Sequence, residues 1–369
     1  MTHSSRLFEP TCVAGIKLPN RIVMAPMTRR KAPEGVPGQD VLEYYERRAA
    51  ADVGLIVTEG VWINHPSASN ASDVPHIYGQ EALAAWGRVV QAVHAQGAKI
   101  AAQLWHVGSL ASDSTSDSRP DRILSPSGFY REDTIVGEPM TEDEIAAVID
   151  AYASGVENAR AVGFDAVEFH GAHGYLIDQF LWERTNRRTD AYGGNLKERT
   201  RFAVELIAEC RRRVGPDYPL ILRISQFKYE AYDYKHAANP DQLAEIIEPL
   251  VDAGVSIFHC SQRRFWEPEF AGDDRNLAGW VKAIGGKPTI TVGSVGLSAD
   301  SISTNYLEPG TLAGPADLRR LEEMLARGDF DLVAVGRALL QDWEWARKIH
   351  QGRRDELLPY STAAIDTFY

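Results

Sequence analysis

Two histidines and a tyrosine lie close together near the middle of the chain, in a stretch that also contains glycines. His170 and His173 are three positions apart, and Tyr175 follows two positions later. A neutral imidazole can donate an N–H hydrogen bond, and a phenol can supply a proton, because its ordinary pKa is about 10. These groups suit a reaction in which negative charge develops on a substrate oxygen while a carbon atom is protonated. We therefore predict that the three side chains form a catalytic centre.

The histidine pair also allows a metal-site interpretation, because a spacing of three can place two imidazoles on one cation. The sequence around the pair lacks an H-E-x-x-H pattern, a cysteine cluster and a pair of nearby carboxylates that could complete a ligand set. We therefore expect no metal at this position.

Eight short apolar runs, most of them rich in β-branched residues, predict the strands that must position this centre. They cover residues 22–25, 55–59, 99–104, 166–170, 220–224, 256–260, 289–292 and 332–335. Helical periodicity lies between them, as in the stretch that begins with the capping-box pair Thr141 and Glu144. Strands that alternate with helices favour a parallel sheet covered on both faces. Eight such repeats without a Gly-x-Gly-x-x-Gly pattern favour the α/β fold of a (β/α)8 TIM barrel.

Three further segments complete this prediction. Residues 8–17 predict a short N-terminal β-hairpin that closes the bottom of the barrel. Residues 109–139 are polar and predict a long loop excursion over the barrel mouth after strand 3, and residues 301–310 lengthen the connection after strand 7. Because no internal boundary is visible, residues 1–369 are predicted to form a single domain.

Composition limits the classes of partner. The formal net charge of −12 and the pI of about 5.4 argue against nucleic acid and against an anionic membrane surface as partners. The N-terminus lacks an apolar signal region, and the sequence has no run of 18 apolar residues. Its three cysteines are far apart, which is typical of free thiols. We expect a cytoplasmic protein that is a monomer or a homo-oligomer.

Active sites of such barrels lie at the carboxyl ends of the strands, where this sequence concentrates glycines and polar residues. Gly293 and Ser294 follow strand 7, and Gly336 and Arg337 follow strand 8. Backbone N–H groups, a helix N-terminus and an arginine at this pair of loops predict a phosphate site. A single monophosphate fits FMN better than a dinucleotide.

The residues around the histidine pair resemble the signature of the Old Yellow Enzyme family. The matching sequence is His-Gly-Ala-His-Gly-Tyr-Leu-Ile-Asp-Gln-Phe-Leu over residues 170–181. Further matches follow at Asn186, at residues 188–190 and 192–194, and at residues 198–199 and 201–202. The resemblance extends from Leu7 to His350, nearly the whole chain.

This resemblance implies an FMN-dependent ene-reductase. Non-covalently bound FMN is reduced by NAD(P)H and passes hydride to the β-carbon of a small-molecule α,β-unsaturated carbonyl (enone) or nitroalkene. It further implies that His170 and His173 bind the substrate oxygen and that Tyr175 protonates the α-carbon. The implied substrate-binding residues are Thr28, Trp105, His170, His173 and Tyr175. The predicted cofactor-binding residues are Ala25, Pro26, Met27, Thr28, Gly60, Gln103, His170, Arg223, Gly293, Ser294, Gly336 and Arg337.

Two loops depart from the family pattern. Residues 106–109 read His-Val-Gly-Ser where many members have His-x-Gly-Arg, and residues 224–226 read Ile-Ser-Gln where Leu-Ser-Pro is common. Both loops are expected to shape the substrate pocket. The adjacent Arg263 and Arg264 follow strand 6, and we hypothesise that they receive the phosphates of NAD(P)H.

Three alternatives remain open at this point. A larger flavin barrel related to dienoyl-CoA reductases or amine dehydrogenases would carry an iron–sulfur cysteine cluster and further domains after the barrel, and from this sequence we expect neither. A non-flavin barrel lyase or aldolase needs a Schiff-base lysine at a strand end, and none of the eight predicted ends supplies one. A flavoprotein that binds ligands without turnover is separated from an enzyme only by assay.

Overall fold

Eight strands pair in parallel and close into a barrel, which confirms the predicted fold. The structure is a computed structural model and describes residues 5–113, 119–131, 133–229, 231–298 and 312–368. Its strands are β1 (Thr11–Val13), β2 (Ile16–Leu18), β3 (Ile22–Met24), β4 (Leu55–Trp62), β5 (Lys99–Trp105), β6 (Leu124–Ser125), β7 (Phe129–Arg131), β8 (Thr134–Ile135), β9 (Glu138–Pro139), β10 (Ala166–His173), β11 (Leu220–Lys228), β12 (Ile257–Ser261), β13 (Thr289–Val292), β14 (Leu312–Ala313), β15 (Leu332–Val335) and β16 (Tyr360–Ser361).

The helices that cover the barrel follow its strands in the predicted alternation. They are α1 (Gln39–Ala50), α2 (Gln80–Ala95), α3 (Glu142–Ala161), α4 (Leu176–Leu181), α5 (Arg201–Val214), α6 (Pro240–Ala253), α7 (Leu277–Gly285), α8 (Arg319–Arg327), α9 (Arg337–Gln341) and α10 (Trp345–His350). The predicted capping box is confirmed at α3, where the side chains of Thr141 and Glu144 each accept from the other residue's backbone N–H. Within the described helices, none is both long and apolar enough to cross a lipid bilayer.

The barrel is closed in the order β3, β4, β5, β10, β11, β12, β13, β15 and back to β3. β13 and β15 have the predicted bounds, whereas β4, β10 and β11 run several residues further than predicted. The extra residues of β4 and β10 lie at or after register shifts, between Val57 and Gly60 and between Gly171 and His173. Such irregularities re-aim side chains at the barrel rim, and simple apolar runs do not reveal them.

The predicted hairpin is confirmed as β1 and β2, which pair antiparallel. Val13, Ile16 and Leu18 pack in one apolar cluster with the lowest residues of the barrel interior, such as Ile221 and Ile257. Burying each such aliphatic side chain contributes about 1.5–3 kcal/mol. The hairpin therefore closes the amino-terminal end of the barrel, as predicted, and leaves the carboxyl end for ligands.

The side chains inside the barrel form layers, because alternate residues of each strand point inward. An apolar layer contains Ala101, Ala166, Ile221 and Ile257. Two positions further along the same strands come Gln103, Glu168, Arg223 and His259. Two positions beyond these come Trp105, His170, Ser225 and Ser261. The interior thus changes from apolar to charged and then to chemically reactive toward the mouth.

The predicted excursion after the third barrel strand carries short strands of its own. β6 pairs with β9 in parallel, and β7 pairs with β8 antiparallel. The predicted extension at residues 301–310 lies outside the described residues.

Candidate active site

A cavity of 570 Å³ opens at the carboxyl ends of the barrel strands, within the usual size of a small-molecule site. The structure brings most of the predicted site residues together in its lining. They are Ala25, Pro26, Met27, Thr28, Gln103, Trp105, His170, His173, Tyr175, Arg223, Ser294, Gly336 and Arg337. Gly60 and Gly293 do not line this cavity.

Gly60 makes room for an aromatic wall instead. A Cβ atom at Gly60 would lie 2.4 Å from the ring of Trp105, closer than any real contact allows. The Trp105 ring stacks on Trp62 with centroids 4.3 Å apart, and its edge meets Tyr175 at 4.9 Å. Phe227 and Tyr229 also line the cavity, and their rings lie 5.1 and 5.0 Å from that of His173, centroid to centroid. Aromatic side chains therefore form a large part of the apolar lining of the cavity.

Gly293 allows the close turn on which the predicted phosphate site depends. Its φ is +155°, and a Cβ atom there would lie 2.5 Å from the backbone oxygen of Gln262. The next residue, Ser294, accepts a hydrogen bond from the Arg337 guanidinium at 3.2 Å. Gly336 precedes α9, so a backbone N–H group at the helix start, a hydroxyl and a guanidinium converge there.

The predicted catalytic trio is assembled by the end of β10 and the start of α4. The ring of His170 lies 5.3 Å from that of His173 and 4.6 Å from that of Tyr175, centroid to centroid. His173 has a φ of +64°, a left-handed conformation that is strained for a residue other than glycine. Its backbone N–H donates to Ser225 Oγ at 3.0 Å, and its Nε2 lies 2.8 Å from Ser261 Oγ. Contacts from β11 and β12 thus hold it in place.

Both histidines are neutral, because their environment opposes the charged form. Burial lowers the pKa of His170 and of His173 well below the ordinary value, and the charge of Arg223 acts in the same direction. Each ring therefore carries one N–H and one lone pair. Nδ1 of His170 is buried and has no partner among the described residues.

The charges of the cavity fit an anionic heteroaromatic ligand such as FMN. Its lining contains five arginines and, among the described residues, no Asp or Glu; they are Arg29, Arg30, Arg223, Arg263 and Arg337. Nε of Arg223 is buried without a partner in the described chain, as is Nδ1 of His170. Unpaired buried polar atoms are costly unless a ligand satisfies them. Within the described residues, no group of three or more His, Cys, Asp or Glu side chains could hold a metal ion.

Below the cavity, a buried carboxylate joins three strands of the barrel. Glu168 accepts from Gln103 Nε2 at 2.8 Å, and its other oxygen lies 2.7 Å from His259 Nδ1. Sequence reasoning missed Glu168, although a charge inside the apolar run of β10 was a visible signal. Sequence reasoning also assigned no role to Ser261, because Ser261 and His173, which are in contact, lie 88 positions apart in the sequence.

A second buried carboxylate holds the segment after β3. Glu59 accepts hydrogen bonds from the backbone N–H groups of Arg29 at 2.8 Å and Arg30 at 3.2 Å. Burial raises the pKa of Glu59 to about 7, although these hydrogen bonds oppose the shift. The carboxylate therefore secures the backbone beside the predicted flavin residue Thr28.

The C-terminal segment, residues 357–368, returns to the barrel mouth. β16 pairs with β14, and both Tyr360 and Ile365 line the cavity. The Arg29 guanidinium donates to the backbone oxygens of Ala364, Ile365 and Thr367 at 3.4, 3.0 and 2.5 Å. No pattern in the sequence had placed this segment.

A lysine does lie at a strand end, contrary to the sequence-based expectation. β11 runs to Lys228 because it continues beyond the apolar run from which its end was predicted. The Lys228 ammonium donates to Asp178 at 2.8 Å and lies against His236. It is fully buried and does not line the cavity, so its geometry does not support a Schiff base with a ligand bound there.

Comparison with known proteins decides the family. The sequence profile of the NADH:flavin oxidoreductase / NADH oxidase family matches residues 6–356. The chain belongs to this family. Membership confirms the resemblance to Old Yellow Enzymes, and with it FMN as the expected cofactor and NAD(P)H as its reductant.

Individual relatives agree with this membership. The chain is 32% identical to an NADH oxidase of Thermoanaerobacter brockii over 97% of this chain, and spans about half, 52%, of that protein's length. It is 32% identical to an NADPH dehydrogenase of Halalkalibacterium halodurans over 93% of each chain. It is 39% identical to 12-oxophytodienoate reductase 7 of Oryza sativa subsp. japonica over 62% of this chain and 60% of that protein.

Solved structures give the same answer for the fold. Morphinone reductase superimposes with a TM-score of 0.75 and 27% identity, over 95% of this chain and 90% of that chain. A complex of morphinone reductase with tetrahydroNAD also gives a TM-score of 0.75 and 27% identity, over 94% and 90% of the two chains.

Proposed function

We propose that the protein is an ene-reductase that reduces the carbon–carbon double bond of an α,β-unsaturated carbonyl or a nitroalkene. The observation that carries the proposal is the convergence of His170, His173 and Tyr175 on one cavity wall. FMN, when bound, supplies hydride transfer between NAD(P)H and the substrate. Two relatives, the 12-oxophytodienoate and morphinone reductases, are named for ketones, which supports a carbonyl substrate.

In this proposal the chain's own residues bind and polarise the substrate. His170 and His173 each donate an N–H to the substrate oxygen and so withdraw electrons from the double bond. Neutral imidazoles in a buried site are suited to this, because a preorganised donor is worth about 10²–10³ in rate there. Trp105 and Thr28 line the same cavity and restrict the position of the substrate.

Tyr175 supplies the proton. Its ring lies against His170 and Trp105, so the phenol is held beside the site where the substrate oxygen is bound. Protonation of the α-carbon completes the reduction. A positioned acid contributes about 10²–10⁴ in rate.

The flavin contacts in this proposal follow the strand ends. Gln103 and Arg223 line the cavity and would give the pyrimidine ring of the flavin its polar partners, and residues 25–28 line the same cavity. Ser294, Gly336 and Arg337 hold the phosphate. Gly60 and Gly293 act indirectly, through the room that each leaves for its neighbours.

The proposal is tested by separating the two half-reactions of a Tyr175→Phe variant. Reduction of the bound flavin by NADPH should stay near the wild-type rate, because no substrate carbon is protonated in that step. Reduction of 2-cyclohexenone should slow by about 10²-fold or more. Stopped-flow absorbance follows each step. If both half-reactions keep the wild-type rate, Tyr175 is not the acid; a purified protein that binds no FMN rejects the whole proposal.

A further inference from the structure

We propose that Glu168 is a positioning residue that holds Gln103 with its amide oxygen toward the cavity, so that the site selects a ligand with an N–H group there. The inference rests on the proposed function, because FMN is the expected ligand and its pyrimidine ring carries an N–H at N3. Glu168 itself touches no ligand and acts through Gln103 and Arg223.

The register of the barrel places the carboxylate beside the amide. Glu168 of β10 pairs with Gln103 of β5, and both side chains point into the barrel. Glu168 Oε1 accepts from Gln103 Nε2 at 2.8 Å, and Oε2 lies 2.7 Å from His259 Nδ1. Glu168 and His259 are fully buried, so no water replaces these contacts.

The chemistry of a carboxylate decides which way the amide points. An ionised carboxylate only accepts hydrogen bonds, so the amide atom that faces it must be the nitrogen. Burial raises the pKa of Glu168, but His259, Arg223 and Gln103 together lower it by more, and the group stays ionised. The oxygen of Gln103 is then the acceptor left for the cavity, which Gln103 lines.

Glu168 also acts through its charge. Its carboxylate interacts electrostatically with Arg223, which lines the cavity and has a buried Nε without a partner among the described residues. The negative charge partly balances the guanidinium under the ligand. Glu168 therefore has two effects that can be separated. It orients the amide of Gln103, and it partly neutralises the positive charge of Arg223.

Two substitutions separate these effects. Glu168→Gln keeps an oxygen for Gln103 Nε2 and can donate its own N–H to His259, so it removes the charge and preserves the orientation. Glu168→Met removes both the charge and the acceptor at similar size. Glu269→Gln is a matched control, because Glu269 is a buried carboxylate bonded to Lys235, Gln226 and Gln262 and not to Gln103.

The experiment measures the selectivity of the protein between two flavins, a measurement that does not require catalytic turnover. The full-length FMN-loaded protein is equilibrated with 3-deaza-FMN, in which a carbon replaces N3 at nearly unchanged size. The flavin retained by the protein is then quantified by chromatography. The midpoint potential of the bound FMN is measured in parallel.

The wild type should prefer FMN over 3-deaza-FMN by about 10-fold, the value of one buried hydrogen bond. Glu168→Gln should keep this preference and shift the midpoint potential to a more positive value, because reduction adds negative charge near an unbalanced Arg223. Glu168→Met should reduce the preference, so that FMN and 3-deaza-FMN bind about equally well. Glu269→Gln should resemble the wild type in both measurements.

Three results would overturn the inference. They are a wild type without preference, a Glu168→Met variant that retains it, and a Glu168→Gln potential equal to that of the wild type. If Glu168→Met does not fold, Gln103→Met is used, and a preference that survives this change is equally decisive. A protein that binds no flavin at all rejects the proposed function instead, so the two failures are distinguishable.

Discussion

His170 and His173 are neutral because burial and the charge of Arg223 lower their pKa values in the same direction. A neutral ring has one N–H, so the contact at its other nitrogen decides where that N–H points. For His173, Ser261 provides this contact at 2.8 Å. At the residue scale, the Ser261 hydroxyl, which takes no part in the proposed reaction, can therefore determine which nitrogen of His173 donates to the substrate.

We expect Ser261→Ala to weaken binding of p-hydroxybenzaldehyde, a phenol that mimics an anionic substrate oxygen. The loss of one hydrogen bond, about 1 kcal/mol, corresponds to an increase of about 5-fold in the dissociation constant. Titration of the long-wavelength absorbance band of the flavin–phenol complex measures it. Ser261→Thr retains the hydroxyl and serves as the control. An unchanged affinity in Ser261→Ala would remove Ser261 from the site.

Glu59 connects two elements, since it lies in β4 and holds the backbone after β3. Its raised pKa, about 7, means that the folded protein retains a proton that the unfolded chain releases at about pH 4.5. The unfolded state therefore binds fewer protons between these values, and stability falls as pH rises through this range. The stability that the raised pKa of Glu59 contributes is fully present below about pH 4.5 and is lost above about pH 7.

We expect the wild type to lose about 3 kcal/mol of stability relative to Glu59→Gln between pH 5 and pH 8, since each pKa unit corresponds to about 1.4 kcal/mol. The amide side chain of the variant is neutral throughout, and its oxygen can still accept from the backbone. Urea unfolding of both proteins at several pH values measures the difference. A constant difference over this range would show that Glu59 has no raised pKa.

Arg29, in the loop after β3, connects the last residues of the C-terminal segment to the rest of the protein. Besides its three hydrogen bonds to this segment, Arg29 lies over the ring of Phe368, which stacks on Tyr44 of α1 at 4.6 Å. Since Ile365 lines the cavity, the segment forms part of its wall.

We expect Arg29→Met to release residues 364–368 and to lower the free energy of unfolding by about 2 kcal/mol, because several carbonyl groups lose a charged donor. Hydrogen–deuterium exchange of these residues should accelerate. Arg30→Met is the control, since Arg30 is exposed and pairs at the surface with Asp73 at 2.9 Å. Equal exchange in both variants would contradict the role of Arg29.

At the scale of the whole molecule, charge is distributed unevenly. The chain has a net charge of −12, yet five arginines line the cavity. The positively charged cavity attracts anions, although the chain as a whole is negatively charged. The adjacent Arg263 and Arg264 differ, because Arg263 lines the cavity whereas Arg264 forms an ion pair with Glu267 at 2.6 Å.

We expect Arg263→Gln to raise the Michaelis constant for NADPH by about 10-fold, which corresponds to one lost charge-assisted hydrogen bond. Arg264→Gln should leave it near the wild-type value. The wild-type constant should also rise with ionic strength. Steady-state assays at two salt concentrations measure both effects. Equal constants in the two variants would remove Arg263 from the nicotinamide site.

The sequence by itself determined the barrel and the position of its site. Eight short apolar runs, most of them rich in β-branched residues, alternate with helical periodicity and favour a closed parallel sheet, and the capping-box pair Thr141 and Glu144 indicates the start of a helix. The carboxyl ends of the strands must then meet at one mouth. The trio of His170, His173 and Tyr175 was predictable because all three lie within six consecutive residues.

Only the tertiary structure decided which distant groups complete the site. Glu168 with His259, Ser261 with His173, and Arg29 with the C-terminal segment join residues that are 88 to 338 positions apart. The extra residues of β4 and β10 and the lysine at the end of β11 also escaped prediction. Register shifts and buried polar contacts depend on how neighbouring strands align, and that alignment is set by packing of the whole barrel rather than by any local pattern.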